Sequence, residues 1–158
     1  MDILSQIQRY IPQTPTQAKA KAILLAAWQK DGEKLLSRQA EAAHFTASAL
    51  ILNPTMDKML MVHHNIYQSF AWTGGHADGE ADLLTVALRE AQEETGIQQI
   101  YPLSGAVLSL DILDVPAHQK NGKQVPAHQH YSLAFGCIAP ENQPLTVKAD
   151  ENSAVAWI

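Results

Sequence analysis

The sequence predicts a mixed α+β domain over residues 41–158, preceded by a helical extension over residues 1–40. Two observations carry that expectation. Up to about residue 38 the chain is rich in alanine and lysine with few β-branched side chains, whereas from His44 onward short runs of β-formers alternate with turn residues. Among those runs lies one clear helical stretch, 82–95, and strands surrounding few helices make an α+β domain. At 158 residues the chain suits one core of self-sufficient size, so two independent domains are not expected.

Each element has a local reason. Residues 3–10 and 15–38 read as helices, the second opened by Thr14 as N-cap and Pro15 at the first helical position. Ala22, Leu25, Ala26, Leu35 and Leu36 are expected to form an apolar stripe that packs within the chain, with a homodimer contact as the alternative. Strands are expected over 44–52, 58–63, 68–73, 101–113, 129–138 and 153–158, the first ended by Asn53-Pro54. Tyr67, Phe70 and Trp72 precede a glycine-rich loop; filling a core is the favoured role for Phe70 and Trp72, ahead of stacking on a base. Val115-Pro116-Ala117-His118-Gln119 recurs as Val125-Pro126-Ala127-His128-Gln129, too short a unit for a solenoid, and reads as a proline-bearing surface loop.

Composition excludes several function classes. With 46% hydrophobic and 17% charged residues and a net charge of −5, the chain is ordinary for a globular protein and lacks a basic footprint for nucleic acid or acidic membrane. Its apolar runs are far shorter than a bilayer span and no leader pattern opens it, so a cytoplasmic location is expected. The single cysteine, Cys137, cannot form an internal disulfide and sits in an apolar strand-like run, where a buried inert thiol is expected.

The chemistry concentrates in 74–97. Glu90, Glu93 and Glu94 follow i, i+3, i+4 spacing and share one helix face within about 100° of arc. Gly96 follows at a C-cap position, so the three carboxylates occupy the end of the helix where the macrodipole disfavours negative charge by roughly 0.3–1 kcal/mol apiece. A hard divalent cation such as Mg2+, with Mn2+ as the alternative, would make this cluster favourable. In front of it, Gly74, Gly75 and Gly79 allow the backbone to approach an ion or a phosphate closely, and Asp82 is the expected helix N-cap.

This segment resembles the Nudix box of Nudix hydrolases, which runs Gly, five residues, Glu, seven residues, Arg-Glu, an apolar residue, any residue, Glu-Glu, any residue, Gly and an apolar residue. Gly75, Arg89, Glu90, Ala91, Glu93, Glu94, Gly96 and Ile97 match in register, and Ala81 stands where the first Glu belongs, flanked by Glu80 and Asp82. Glu80, Asp82 or Asp78 is a candidate substitute for that supporting residue. The resemblance implies an α/β/α sandwich with a mixed sheet, and a domain whose usual C-terminal helix is expected to be absent after residue 158. It implies a Mg2+-dependent pyrophosphohydrolase that cleaves a diphosphate linkage in a nucleoside diphosphate joined to another moiety. Glu93 and Glu94 are the leading metal ligands, Glu90 a third ligand or the base, the Gly75 carbonyl part of the metal shell, and Arg89 the residue that orients the glutamates. A separate general base often comes from a later loop, for which Glu151, Asp111 and Asp114 are candidates. The expected partner is a small-molecule diphosphate. A catalytically weak nucleotide sensor or interaction module on the same fold is the alternative, and a diphosphate isomerase is disfavoured because Cys137 is the only thiol.

Of the seven histidines, His76 in the box loop and His128 with His130 on one strand face are the candidates for contact with substrate, beside Gly74. Imidazoles at the spacing of His128 and His130 can bind zinc, but no second pair at structural-site spacing accompanies them.

Overall fold

The computed structural model describes residues 2–158. Helix α1 spans Ile3–Arg9, capped by the Asp2 carboxylate, and α2 spans Pro15–Asp31, capped by Thr14 Oγ1 accepting from the Gln17 amide at 3.2 Å. The expected single helix to residue 38 ends early because Gly32 takes φ +53° and its amide bonds back to Trp28. A 3₁₀ turn, Gly32–Leu36, follows. The buried stripe also differs from expectation: Ala20 and Leu24, one turn apart, face inward with Leu35 and Leu36, while Ala22 and Ala26 are exposed. In an alanine-rich helix many registers look alike, so the inward face is set by Leu24.

The strands are β1 (Ala43–Leu52), β2 (Met59–His64), β3 (Ser69–Ala71), β4 (Thr73–His76), β5 (Tyr101–Val115), β6 (His118–Lys120), β7 (Lys123–Val125), β8 (His128–Ile138) and β9 (Asn152–Trp157), with helix α3 (Leu83–Thr95) between β4 and β5. Seven of them pair in the order β3-β2-β1-β8-β5, with β4 also on β1 and β9 also on β2. Strand β1 is buried at nearly every position, as a central strand covered on both faces must be. The expected strand 68–73 is two short strands interrupted at Trp72. Phe70 and Trp72 are 43% and 47% exposed, which corrects the expectation that they fill a core. Alternation alone cannot tell which face of a short edge strand is covered.

The chain divides into two compact units, one of residues 1–46, 76–83 and 107–133, the other of 47–75, 84–106 and 134–158. In the first, Ile3, Ile7, Leu24, Leu35 and Leu36 are buried, and Phe45 is held edge-on by Trp28 at 5.9 Å and by Tyr131 at 5.6 Å between centroids. The sequence repeat belongs to this unit and forms a β-hairpin, β6 with β7, where a plain loop was expected. Asn121 and Gly122, at φ +52° and +75°, make the two-residue turn that this dipeptide favours. Each copy of the repeat also makes the same local contact: His118 Nδ1 lies 2.9 Å from the Pro116 carbonyl and His128 Nδ1 2.9 Å from that of Pro126.

In the second unit, β2 carries β3 on one edge and β9 on the other, both antiparallel. The β2–β9 register runs from Leu60 opposite Trp157 to His64 opposite Asn152, with an irregularity at His63/His64 that leaves Ser153 as the extra residue. That bulge positions Asn152, which is 1% exposed. Cys137 is fully buried and its thiol is pushed up to about 11 by burial, as an inert core residue should be. Among the described residues no helix is long and apolar enough to cross a membrane.

Candidate active site

Helix α3 contains no glycine or proline and buries Val86, Ala87 and Ala91 completely. Continuing that stripe by three residues from Ala91 brings Glu94 onto the buried face. Glu94 is 3% exposed, whereas Glu93, one residue away around the helix, is exposed. A buried carboxylate needs donors, and two are present: the Gly74 amide donates to Oε1 at 2.9 Å and Asn152 Nδ2 to Oε2 at 3.0 Å. Burial pushes the Glu94 carboxyl up, and these two hydrogen bonds offset part of that rise.

Glu90 sits against the glycine loop. A Cβ added at Gly75 would overlap the Glu90 carboxyl group, and one at Gly74 would meet Ser48 Oγ at 2.6 Å and the Ala47 carbonyl at 2.9 Å. Gly74 is therefore required by contact with the backbone, and Gly75 leaves the space that the Glu90 carboxyl group fills. Burial and then the neighbouring Glu93 push the Glu90 carboxyl up, while Lys148 and Arg89 act in the other direction. Arg89 Nη2 lies 3.7 Å from Glu90 Oε1, a single ion-pair contact and not a bidentate fork. The helix ends at Gly96, φ +80°, whose amide bonds to the Gln92 carbonyl at 2.9 Å.

Residues 148–152 join the same unit from its C-terminal segment. Glu151 pairs with Lys148 at 3.3 Å and is close enough to raise the carboxyls of both Glu90 and Glu94. Asn152 was not singled out by sequence reasoning; its signal is visible only through the β9 bulge that turns it inward. After its amide nitrogen bonds Glu94, its Oδ1 is left buried with no donor among the described residues.

Glu90, Glu93 and Glu94 share the end of α3, the carboxyls of Glu90 and Glu94 are raised, and Arg89 and Lys148 supply the positive charge beside Glu90. These oxygens are of the chemical type that a hard divalent cation takes, and such an ion would favour their ionised form.

The other singled-out residues lie in the first unit. Ala81 is exposed, Glu80 accepts the Asp82 amide at 2.8 Å, and Asp78, at φ +47°, holds Arg38 by two bonds of 2.8 and 2.7 Å. Asp82 directly precedes α3, at its N-cap position. Asp111 accepts from Ser109 Oγ at 2.6 Å and Asp114 from Gln129 Nε2 at 3.0 Å. His76, His128 and His130 come together, and His44, which sequence reasoning passed over, completes the group. The Gln129 amide donates to the Ala42 carbonyl at 3.0 Å, which sets the start of β8 beside the start of β1 and so brings these side chains together.

A family model described as the NUDIX domain matches residues 42–158. A protein from Lactococcus lactis subsp. cremoris (strain MG1363), described as a probable DHNTP pyrophosphohydrolase, is 25% identical over 135 residues, 85% of this chain and 76% of its own. Among solved structures, an Ap4A hydrolase of C. elegans in a binary complex superposes with a TM-score of 0.52 at 16% identity, over 72% of this chain and 77% of that one. A MutT Nudix hydrolase from Burkholderia pseudomallei gives 0.48 at 20% identity, over 74% and 83%. With the box glutamates gathered on α3 against Gly74 and Gly75, and a NUDIX match covering most of its length, this chain belongs to the Nudix hydrolase family.

Proposed function

We propose that this Nudix hydrolase is a Mg2+-dependent pyrophosphohydrolase that cleaves a diphosphate linkage in a nucleoside diphosphate joined to another moiety, with Mn2+ able to replace Mg2+. Residues 41–158 would carry the activity and residues 1–40 form an extension to it. The observation that carries the proposal is the pairing of the α3 carboxylates with the Gly74-Gly75 backbone, in which a buried Glu94 pins the loop and Glu90 lies in contact with Gly75.

Glu93, exposed at the helix end, Glu94 and the Gly75 carbonyl would hold the cation, with Glu90 as third ligand or base. The cation, when bound, neutralises phosphate charge and lowers the pKa of a bound water. The remaining work falls to the chain itself. Glu94 keeps Gly74 in place through its amide, and Asn152 keeps Glu94 in place. Glu90, whose burial shifts its carboxyl toward the working pH range, is suited to take up a proton, and Glu151 is the second candidate for that role. Arg89 adds positive charge beside Glu90. Gly74, His76, His128 and His130 are the proposed substrate contacts.

The test is a panel of diphosphate compounds incubated with Mg2+. It begins with DHNTP and Ap4A because relatives are described by them, and uses Glu93→Gln and Glu94→Gln as controls. The expected result is phosphate-containing products that disappear with chelator and with either variant. Metal-dependent binding without turnover on any compound would replace this reading with that of a nucleotide sensor.

A further inference from the structure

The first unit contains a second constellation, whose His76 and His130 are proposed above only as substrate contacts and whose His44 has no part in that reading. His44, His76 and His130 each offer a ring nitrogen, and the three atoms lie within 4.8 Å of one another. Their rings stand 5.0–5.2 Å apart between centroids. We propose that His44, His76 and His130 form a tri-histidine site for a divalent transition-metal ion of the zinc class.

His44 supplies the strongest argument. It is 4% exposed, and its Nδ1 lies 3.2 Å from the Ala40 carbonyl, a contact that requires the proton on Nδ1. The lone pair is thereby assigned to Nε2, and Nε2 is buried with no hydrogen-bond partner among the described residues. An orphaned buried acceptor is costly, and a histidine whose other nitrogen is bonded to a backbone carbonyl is the arrangement that orients an imidazole toward a metal.

His128 repeats the pattern. Its Nδ1 faces the Pro126 carbonyl at 2.9 Å and its Nε2 stands 3.1 Å from His130 Nε2. Two nitrogens bound to one tetrahedral ion at about 2.0–2.1 Å are roughly 3.4 Å apart. The His128–His130 spacing is already near that value, and the three-ring set would contract by about an ångström around an ion. His128 is thus the nearest further nitrogen for a fourth position, which is otherwise open to water or a ligand.

His76 and His130 are half-buried among the rings of the cluster, and such surroundings favour the neutral imidazole, which carries the lone pair a metal requires. Asp78 holds Arg38 by two bonds and so reduces the positive charge that Arg38 presents to the cluster. The donor set is nitrogen alone, which suits zinc-class ions and not Mg2+, whose preferred ligands are oxygens.

The experiment uses the full chain, stripped of metal and then equilibrated with Zn2+ in excess Mg2+ to saturate the carboxylate helix, with bound zinc measured by mass spectrometry after desalting. About one zinc per chain is expected, retained by Glu93→Gln and weakened at least tenfold by His130→Gln or His76→Gln. Zinc lost with Glu93→Gln but kept with both histidine variants, or no stoichiometric zinc at all, overturns the proposal. Because His44→Gln could unfold a buried position, X-ray absorption at the zinc edge of the unsubstituted chain provides a second readout. Imidazole scattering is expected, and an oxygen-only shell refutes the site.

Discussion

Burial acts on two clusters of ionisable side chains in this molecule and prepares them for opposite states. On α3, desolvation pushes Glu90 and Glu94 up toward their neutral, protonated forms. In the His44 group it pushes His76 and His130 down toward their neutral, deprotonated forms. The same physical cause therefore favours imidazoles with a free lone pair and disfavours the ionised carboxylates, which a nearby cation would favour again. A carboxyl raised in this way is better suited to exchange a proton near neutral pH, as the proposed role of Glu90 requires. A histidine site gains permanence instead.

The largest effect that could break this contrast is catalytic. If Glu90 moves the proton, Glu90→Gln should lower kcat by about 10²–10⁴-fold with the helix intact, and steady-state kinetics on any substrate found in the panel will show it. A loss confined to KM would assign Glu90 to binding alone.

Gly75→Ala comes next. The added methyl overlaps the Glu90 carboxyl, so the loop or the carboxylate must move. Overpacking of this kind costs about 1–3 kcal/mol, and urea denaturation should show a lower midpoint together with weaker Mg2+ activation. A variant that keeps full stability and activity would mean that the loop gives way freely and that the contact between Gly75 and Glu90 is not a constraint.

Metal should separate the two clusters by ligand type. Saturating Mg2+ at about 100-fold its Kd adds about 2.7 kcal/mol of stability, hence a rise in Tm of several degrees for a chain of this size. That rise should vanish in Glu93→Gln and survive in His130→Gln. Equal loss in both variants would merge the clusters into one site.

How far these regions could be read from residues alone follows the same division. The α3 cluster was legible because its residues are contiguous: the i, i+3, i+4 glutamates, the terminal Gly96 and the preceding glycines all lie within one helix and one loop. The seven expected strand and helix runs from residue 44 onward each have a counterpart, with ends displaced by a residue or two, except that the run 68–73 is split at Trp72 and continues to His76. What stayed hidden depends on pairing. His44 stands 32 and 86 positions from His76 and His130, and only the meeting of the β1 and β8 starts, through Gln129 and Ala42, brings it to them. Asn152 is turned inward by a bulge that no periodicity announces. Phe70 and Trp72 alternate like core residues, yet the face they share is left open. The hairpin at Asn121-Gly122 does carry a signal, since that dipeptide favours a two-residue turn, whereas the prolines of the repeat around it are loop residues.

The smallest and most diagnostic effect is the pH dependence of stability. For Glu90 and Glu94 the folded pKa lies above the ordinary 4.5, so between those values the folded state binds more protons than the unfolded state. Stability then falls as pH rises from 4.5 through the raised values, and the cost persists at neutral pH unless a cation is bound. For His76 and His130 the folded values, about 3 and about 4, lie below the ordinary 6.5, so the unfolded state binds more protons in that window. Their contribution is complete above pH 6.5 and is lost progressively as pH falls toward 4 and 3. Thermal melts of the metal-free chain from pH 4 to 8 should therefore respond differently to two substitutions. Glu90→Gln should flatten the decline above 4.5, and His130→Gln should flatten the decline below 6.5. Mg2+ should imitate the first substitution, while Zn2+ should steepen the acid limb, because protons compete with the ion for the same imidazole lone pairs. If Zn2+ instead altered only the limb governed by Glu90, the nitrogen cluster would not be binding it, and burial would have left the histidines neutral for packing alone.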